Sequence, residues 1–241
     1  MDPGHLEELI NIEQRYWWHI AKRELVTELL LLHVPPPARL VEGGIGAGGN
    51  LLAWQQLGYE VAGFDLMLDA VEHCRKQGAC NVRQHDLQEP WPLEASTADA
   101  VLMLDVIEHT SDPVIVLRNA AQVLGPRGKV IVTVPAYPWL MGPWDRMLGH
   151  HRRYTRKMLR RQAKEAGLRV LWLSHWNSFT LPAAVAVRSA EKLVARKRRS
   201  EFPPVGPRIN ALLTGCARGE RRWLRKSPVP FGLSLVGVLT P

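Results

Sequence analysis

The sequence predicts an α/β fold, an open and mostly parallel sheet of seven strands with helices on both faces. Three observations carry this. Short apolar runs alternate with helix-like segments from residue 38 to 135, a glycine-rich turn joins the first run to the first helix of that region, and acids close successive runs.

The turn sets the frame. Ala38-Arg39-Leu40-Val41 is short and apolar enough for a buried strand, and Leu51 to Leu57 has the composition of a helix. Between them lies Glu42-Gly43-Gly44-Ile45-Gly46-Ala47-Gly48-Gly49-Asn50. Glycines let the backbone turn at positive φ and approach a ligand closely, while the following helix aims its positive end at the same place. A nucleotide-like ligand is expected there. Gly44, Gly46 and Gly49 also satisfy the G-x-G-x-x-G spacing of dinucleotide sites, so a nicotinamide-dependent oxidoreductase is one alternative. Glu42 argues for a cation instead, because a nearby carboxylate repels a pyrophosphate.

With Glu42 the loop reads E-x-G-x-G-x-G, which resembles the first motif of the class I S-adenosylmethionine-dependent methyltransferases, a family with a Rossmann-like sheet. The resemblance implies that Glu42, Gly44, Gly46 and Gly48 organise the methionine end of S-adenosyl-L-methionine. Tyr59 to Asp65 reads as the second strand. Its terminal acid, followed by Leu66, suits two adjacent ribose hydroxyls, in either cofactor class. A helix from Met67 to Gln77 follows. Asn81 to Gln84 is a third strand, after which Asp86 and Leu87 stand where the family takes the adenine amine. Asp99 to Leu104 is the fourth strand, and Asp105-Val106-Ile107-Glu108-His109 leaves its carboxyl end; ADAVLMLDVIEHTSDP resembles the corresponding family motif nearly throughout. In an open sheet, ligands sit outside the carboxyl ends where strand order reverses, here between the first and fourth strands. Ser111 or Asp112 caps the next helix, with Pro113 at its first position, and Gly128 to Pro135 is the fifth strand.

The flanks are read as cover for that core. Residues 5–33 have the three-to-four apolar spacing of one helix, stopped by Pro35-Pro36-Pro37. Tyr16-Trp17-Trp18-His19 is too aromatic for a solvent face, and with Arg23 it resembles a bacterial small-molecule subgroup, implying that Tyr16 and Trp17 cover the cofactor and Arg23 reaches its carboxylate. After Ala136, Pro138 to Asp145 suits a loop over a pocket. Thr155 caps a helix to Ala166, Leu168 to His175 is a sixth strand, Phe179 to Arg199 and Ile209 to Lys226 are helices separated by a break at 202–207, and Pro230 to Val238 is the last strand. The expected organisation is therefore a single domain: an N-terminal helical lid over 1–37, a cofactor core over 38–135, substrate-facing insertions over 136–229 and a closing strand in 230–241.

Methyl transfer from a sulfonium needs alignment and exclusion of water, with a base where the acceptor is a hydroxyl. His109, His150, His151 and Tyr154 are the candidates; His109 is favoured because it follows the fourth strand into the cleft, while Arg152 and Arg153 would push His150 and His151 toward the neutral form that suits a base. No N/D-P-P-Y/F motif follows the fourth strand and no Pro-Cys dipeptide occurs, which disfavours nucleic-acid methylation. The expected reaction is methylation of a small molecule, at oxygen in preference to other atoms.

Charge is uneven: residues 1–150 hold 11 Lys+Arg against 19 Asp+Glu, whereas 151–241 hold 20 against 4. The basic half admits an anionic or lipid-linked substrate, a peripheral membrane contact, or an RNA-binding module as a further alternative, although no nucleic-acid partner is expected. Three cysteines without paired or metal-like spacing point to a reducing, cytoplasmic setting with no resident metal. No apolar run approaches the ~18 residues of a membrane span.

Overall fold

The computed structural model describes residues 3–193 and 204–241. Two helices, α1 (Pro3–Ile12) and α2 (Trp17–His33), precede an alternating core: β1 (Arg39–Gly43), α3 (Gly49–Gln56), β2 (Glu60–Asp65), α4 (Leu68–Lys76), β3 (Val82–Gln84), β4 (Ala98–Leu104), α5 (Pro113–Val123) and β5 (Leu124–Pro135). Then come α6 (Pro143–Met147), α7 (Arg156–Glu165), β6 (Arg169–Trp176), α8 (Leu181–Leu193), α9 (Pro207–Leu224) and β7 (Ser234–Thr240).

The seven strands form one sheet in the order β3-β2-β1-β4-β5-β7-β6. Neighbours from β3 through β5 run parallel, and β7 inserts antiparallel between β5 and β6. Strand order reverses between β1 and β4, so their carboxyl ends open the crevice. Strand period explains the two cores. Val101 and Met103 of β4 face one side with Val116, Leu117 and Ala120 of α5, while Ala100, Leu102 and Leu104 face the other with Leu25, Val26 and Leu29 of α2. Because both faces are covered, β4 reads as a continuous apolar run.

The helix expected over 5–33 is two helices. Backbone geometry breaks at Tyr16, which is extended (φ −80°, ψ 128°), and the reason lies far away in sequence. The side chain of Asn210 on α9 accepts the Trp17 N–H at 2.8 Å and donates to the Arg15 carbonyl at 2.9 Å, capping α2 from outside. Asp112, and not Ser111, caps α5 by accepting from the Val114 and Ile115 amides, and Thr155 caps α7 by accepting from Met158. The loop after Ala136 contains α6, and the last strand starts at Ser234 after a non-strand stretch from Pro230. The basic end expected at Arg196 to Arg199 and the break at Phe202-Pro203 lie outside the described residues.

Candidate active site

A cavity of about 750 Å³ opens at the carboxyl ends of β1, β2, β3 and β4, under α1, α2, α6 and α8. Its size and largely apolar walls are those of a small-molecule site. Glu42, Asp65, Asp86 and Asp105 all line it, so the acids expected to share one crevice do so.

Several backbone donors of the loop are engaged within the chain. The Gly44 amide bonds to the Phe64 carbonyl at 2.7 Å and the Gly46 amide to Asp65 Oδ2 at 3.0 Å, while Asp65 Oδ1 accepts the Met67 amide. Asp65 thus staples the loop to β2. Gly44 and Gly46 take positive φ (75° and 54°), which is where glycine is required. The positive end of α3 is met from within the chain: Glu13 Oε2 accepts the Gly49 N–H at 3.1 Å. Burial raises the Glu13 pKa against the pull of Arg23.

Glu42 is fully buried. Its Oε1 accepts from Asn50 Nδ2 at 3.0 Å, whereas Oε2 has no hydrogen-bond partner, and burial pushes its pKa up to about 8. An unpaired buried carboxylate oxygen on a cavity wall fits a cationic group of a ligand. Asp86 Oδ1 accepts the Gln88 amide, fixing the turn after β3. Asp105 sits at φ 59°, where Asp is among the tolerated residues; Lys22 Nζ lies 2.8 Å from its Oδ2 and Thr133 Oγ1 donates to Oδ1 at 3.1 Å. Burial acts to raise the Asp105 pKa, but Lys22, Thr133 and His150 together outweigh it and the net shift is downward. Glu108 beside it is fully buried with both carboxylate oxygens unpartnered, and burial, then Asp105, drive its pKa well above the usual range.

Across the cavity stands a buried charge cluster organised by Asp145. Its Oδ1 accepts from Arg153 Nε at 2.8 Å and its Oδ2 from the Gly142 amide at 2.9 Å, while Arg188 NH1 reaches Oδ2 from α8. His150 Nδ1 is 3.3 Å from Oδ1, at ion-pair distance but off the line of a well-formed hydrogen bond. Burial opposes ionisation of Asp145, yet His150, Arg153 and Arg188 together hold its pKa below the ordinary carboxylate range. The His109 ring meets His150 edge-on with centroids 4.6 Å apart. Burial, with a smaller push from His150, lowers the His109 pKa to about 4. Glu108, His109 and His150 each offer a donor atom within 4.8 Å of the others, a nitrogen and oxygen set of the kind divalent zinc accepts. The spacing of these residues in sequence gave no sign of it.

Of the expected site residues, Tyr16, Trp17, Leu66, Leu87, His109 and His150 also line the cavity. Arg23, Gly48, His151 and Tyr154 do not. Arg23 turns to Asn50 Oδ1 at 3.0 Å and to Glu13, and the Gly48 face toward α4 is closed by Cys74. His151 points to solvent. Tyr154 is fully buried with its hydroxyl 3.3 Å from the Ile107 carbonyl, and burial together with Glu108 raises its pKa, leaving a core phenol. Glu13, Lys22, Glu108, Asp145, Arg153 and Arg188 were missed. Their only sequence signal is position: Glu13, Lys22, Asp145, Arg153 and Arg188 join the cavity through partners on other elements, and Glu108 through burial alone.

The methyltransferase domain model matches residues 17–173, most of the chain, including the glycine loop and the four acids at the strand ends. The chain belongs to the class I S-adenosylmethionine-dependent methyltransferases. Its cofactor is S-adenosyl-L-methionine, and the nicotinamide alternative falls. Ubiquinone biosynthesis O-methyltransferases of Xanthomonas axonopodis pv. citri and Paracidovorax citrulli are 29% and 26% identical over 41% and 54% of this chain. Those matches span 44% and 60% of the two relatives. Among solved structures, an S-adenosylmethionine-dependent methyltransferase from Archaeoglobus fulgidus superposes with a TM-score of 0.60 at 15% identity, covering 91% of this chain and 94% of that one. Another from Aquifex aeolicus gives 0.58 at 18% identity, covering 73% and 93%. These two share the fold.

Proposed function

We propose that this methyltransferase methylates a hydroxyl oxygen of a small acceptor, with His150 as the general base. The observation that carries the reading is the placement of His150 between Asp145 and His109 on the wall of the same cavity that holds the loop and its acids. When bound, S-adenosyl-L-methionine supplies a methyl group on an already activated sulfonium, ready for in-line displacement. Glu42 holds the cationic methionine end through its unpaired oxygen. Asp65 receives the ribose hydroxyls, and Asp86 with the Leu87 amide holds the adenine edge.

The remaining groups serve the acceptor. His150 takes its hydroxyl proton, and Asp145, at ion-pair distance, stabilises the imidazolium that forms. Arg153 and Arg188 keep Asp145 ionised and fixed. His109, with its pKa near 4, stays neutral at neutral pH and packs against His150. Trp17 and Trp144 close the cavity against water. The O-methyltransferase names of the relatives favour oxygen as the acceptor atom.

The test is to incubate the purified chain with isotope-labelled S-adenosyl-L-methionine and paired phenol and amine acceptors, and to identify products by mass spectrometry. The reading expects O-methyl products that vanish in His150→Ala while S-adenosylhomocysteine still binds. Methylation of amines alone, indifferent to His150, would reject it.

A further inference from the structure

Helix α9 packs on α2 with one face and leaves another bare. Thr214, Ala217 and Leu224 are buried on the inner side, and Arg218, Arg221 and Arg225 pair with Glu24 and Glu28 of α2. On the outer side, Ile209, Leu212 and Trp223 are 54%, 65% and 62% exposed. With the exposed Cys216 and Gly219 they recur at alternating spacings of three and four, which places them on one stripe. At 1.5 Å per residue that stripe is about 21 Å long. Arg208 and Arg222 follow one margin of it and Lys226 lies just past its end. All three are exposed and make no ion pair among the described residues.

We infer that this face of α9 is a docking surface for an anionic lipid bilayer, lying in the plane of the interface with Ile209, Leu212 and Trp223 in the acyl boundary and Arg208, Arg222 and Lys226 on the head groups. An apolar stripe edged by uncompensated cations is the arrangement that interfacial helices use, and tryptophan suits the interface because its ring is amphipathic. The helix lies on the membrane: no described helix is long and apolar enough to cross one. A second copy of the chain is a poorer occupant, since a two-fold contact through this stripe would bring the same three cations against themselves. The surface also adjoins the cavity. Asn210, one residue from Ile209, holds the backbone of Trp17, and Trp17 is part of the cavity wall. This inference goes beyond the reaction proposed above and does not depend on which atom is methylated.

Co-sedimentation of the full chain with vesicles tests it, comparing equimolar phosphatidylglycerol and phosphatidylcholine with phosphatidylcholine alone at low and high salt. The expected result is binding to the anionic vesicles only, falling steeply with salt. Replacing Arg208, Arg222 and Lys226 by Gln lowers the affinity on the order of a hundredfold. Leu212→Ser with Trp223→Ser lowers it at least about tenfold. Every substituted side chain is exposed, and unchanged S-adenosylhomocysteine affinity verifies that the variants are folded. Three results would overturn the inference: no binding at low salt, binding that ignores these substitutions, or dimerisation in sedimentation velocity that Leu212→Ser with Trp223→Ser abolishes.

Discussion

Lys22 Nζ lies 2.8 Å from Asp105 Oδ2, joining the N-terminal helix α2 to the residue that leaves β4. Neither side chain is largely exposed, at 11% and 23%. Burial opposes the charge on Lys22, but Asp105, with smaller help from Glu108 and Glu13, more than offsets it and raises the Lys22 pKa, so the side chain stays charged. The pair therefore fixes the cover of the cavity to the sheet. Removing one partner strands a buried charge, so Lys22→Met should lower stability by about 3 kcal/mol. Adding Asp105→Asn should restore much of that, and urea midpoints of the single and double variants measure it. A single variant as stable as the parent would mean the pair contributes nothing.

Gly46 turns at φ 54°, and a Cβ there would sit 3.0 Å from Leu9 Cδ2 of α1. Gly46→Val therefore strains the loop and pushes on the lid, and should abolish cofactor binding. Asp65→Ala removes the acceptor for the Gly46 amide as well as a proposed ribose contact, and should weaken binding by about 1–3 kcal/mol. Isothermal calorimetry with S-adenosylhomocysteine reads both, and unaltered affinity in the pair would remove the loop from the cofactor site.

What the sequence made legible follows from how each feature is encoded. Glu42 and Asp65 were readable because each ends an apolar run, and a strand end in a parallel sheet has a defined place; Asp86, after the polar N-V-R-Q-H, was readable only from its order behind them and from the family resemblance. Asp145 was not: its partners Arg153 and Arg188 stand on other elements, and nothing local in P-W-D-R-M signals a buried acid. The break at Tyr16 was hidden for the same reason, since the cap comes from Asn210. Arg23 shows the converse limit. Its position near the aromatics was legible, but its choice of Glu13 and Asn50 over the cavity depends on where α1 folds back.

Acid should destabilise the protein through its buried histidines. Burial lowers the pKa of His19 to about 3 and those of His109 and His175 to about 4, against about 6.5 when unfolded. The unfolded chain binds protons more readily, so the stability these groups contribute is present above pH ~6.5 and is lost as pH falls toward 4. The raised carboxyls of Glu42 and Glu108 act in the opposite direction in that window, so the expected outcome is a difference: acid should lower the thermal midpoint of the parent relative to that of His109→Phe, which has no ring nitrogen to protonate. Equal slopes in the variant and the parent would show that His109 titrates normally.

Glu42 carries the opposite sign. With its folded pKa raised to about 8 by burial, it favours the folded chain while protonated; that contribution is complete below pH ~4.5 and declines as pH rises through 8. At neutral pH the empty cavity therefore holds a largely neutral Glu42. A cationic methionine end placed against its unpaired oxygen would favour the carboxylate and lower the pKa, so binding should release a proton. Calorimetry at pH 7 in buffers of differing ionisation enthalpy detects such release as a buffer-dependent binding heat. Glu42→Gln should bind more weakly and with the buffer dependence diminished, because its side chain has no proton to give up and no charge to offer the ammonium. If the parent heat were the same in every buffer, Glu42 would either be ionised before binding or lie out of reach of the ligand's charge, and its proposed role at the methionine end would have to be abandoned.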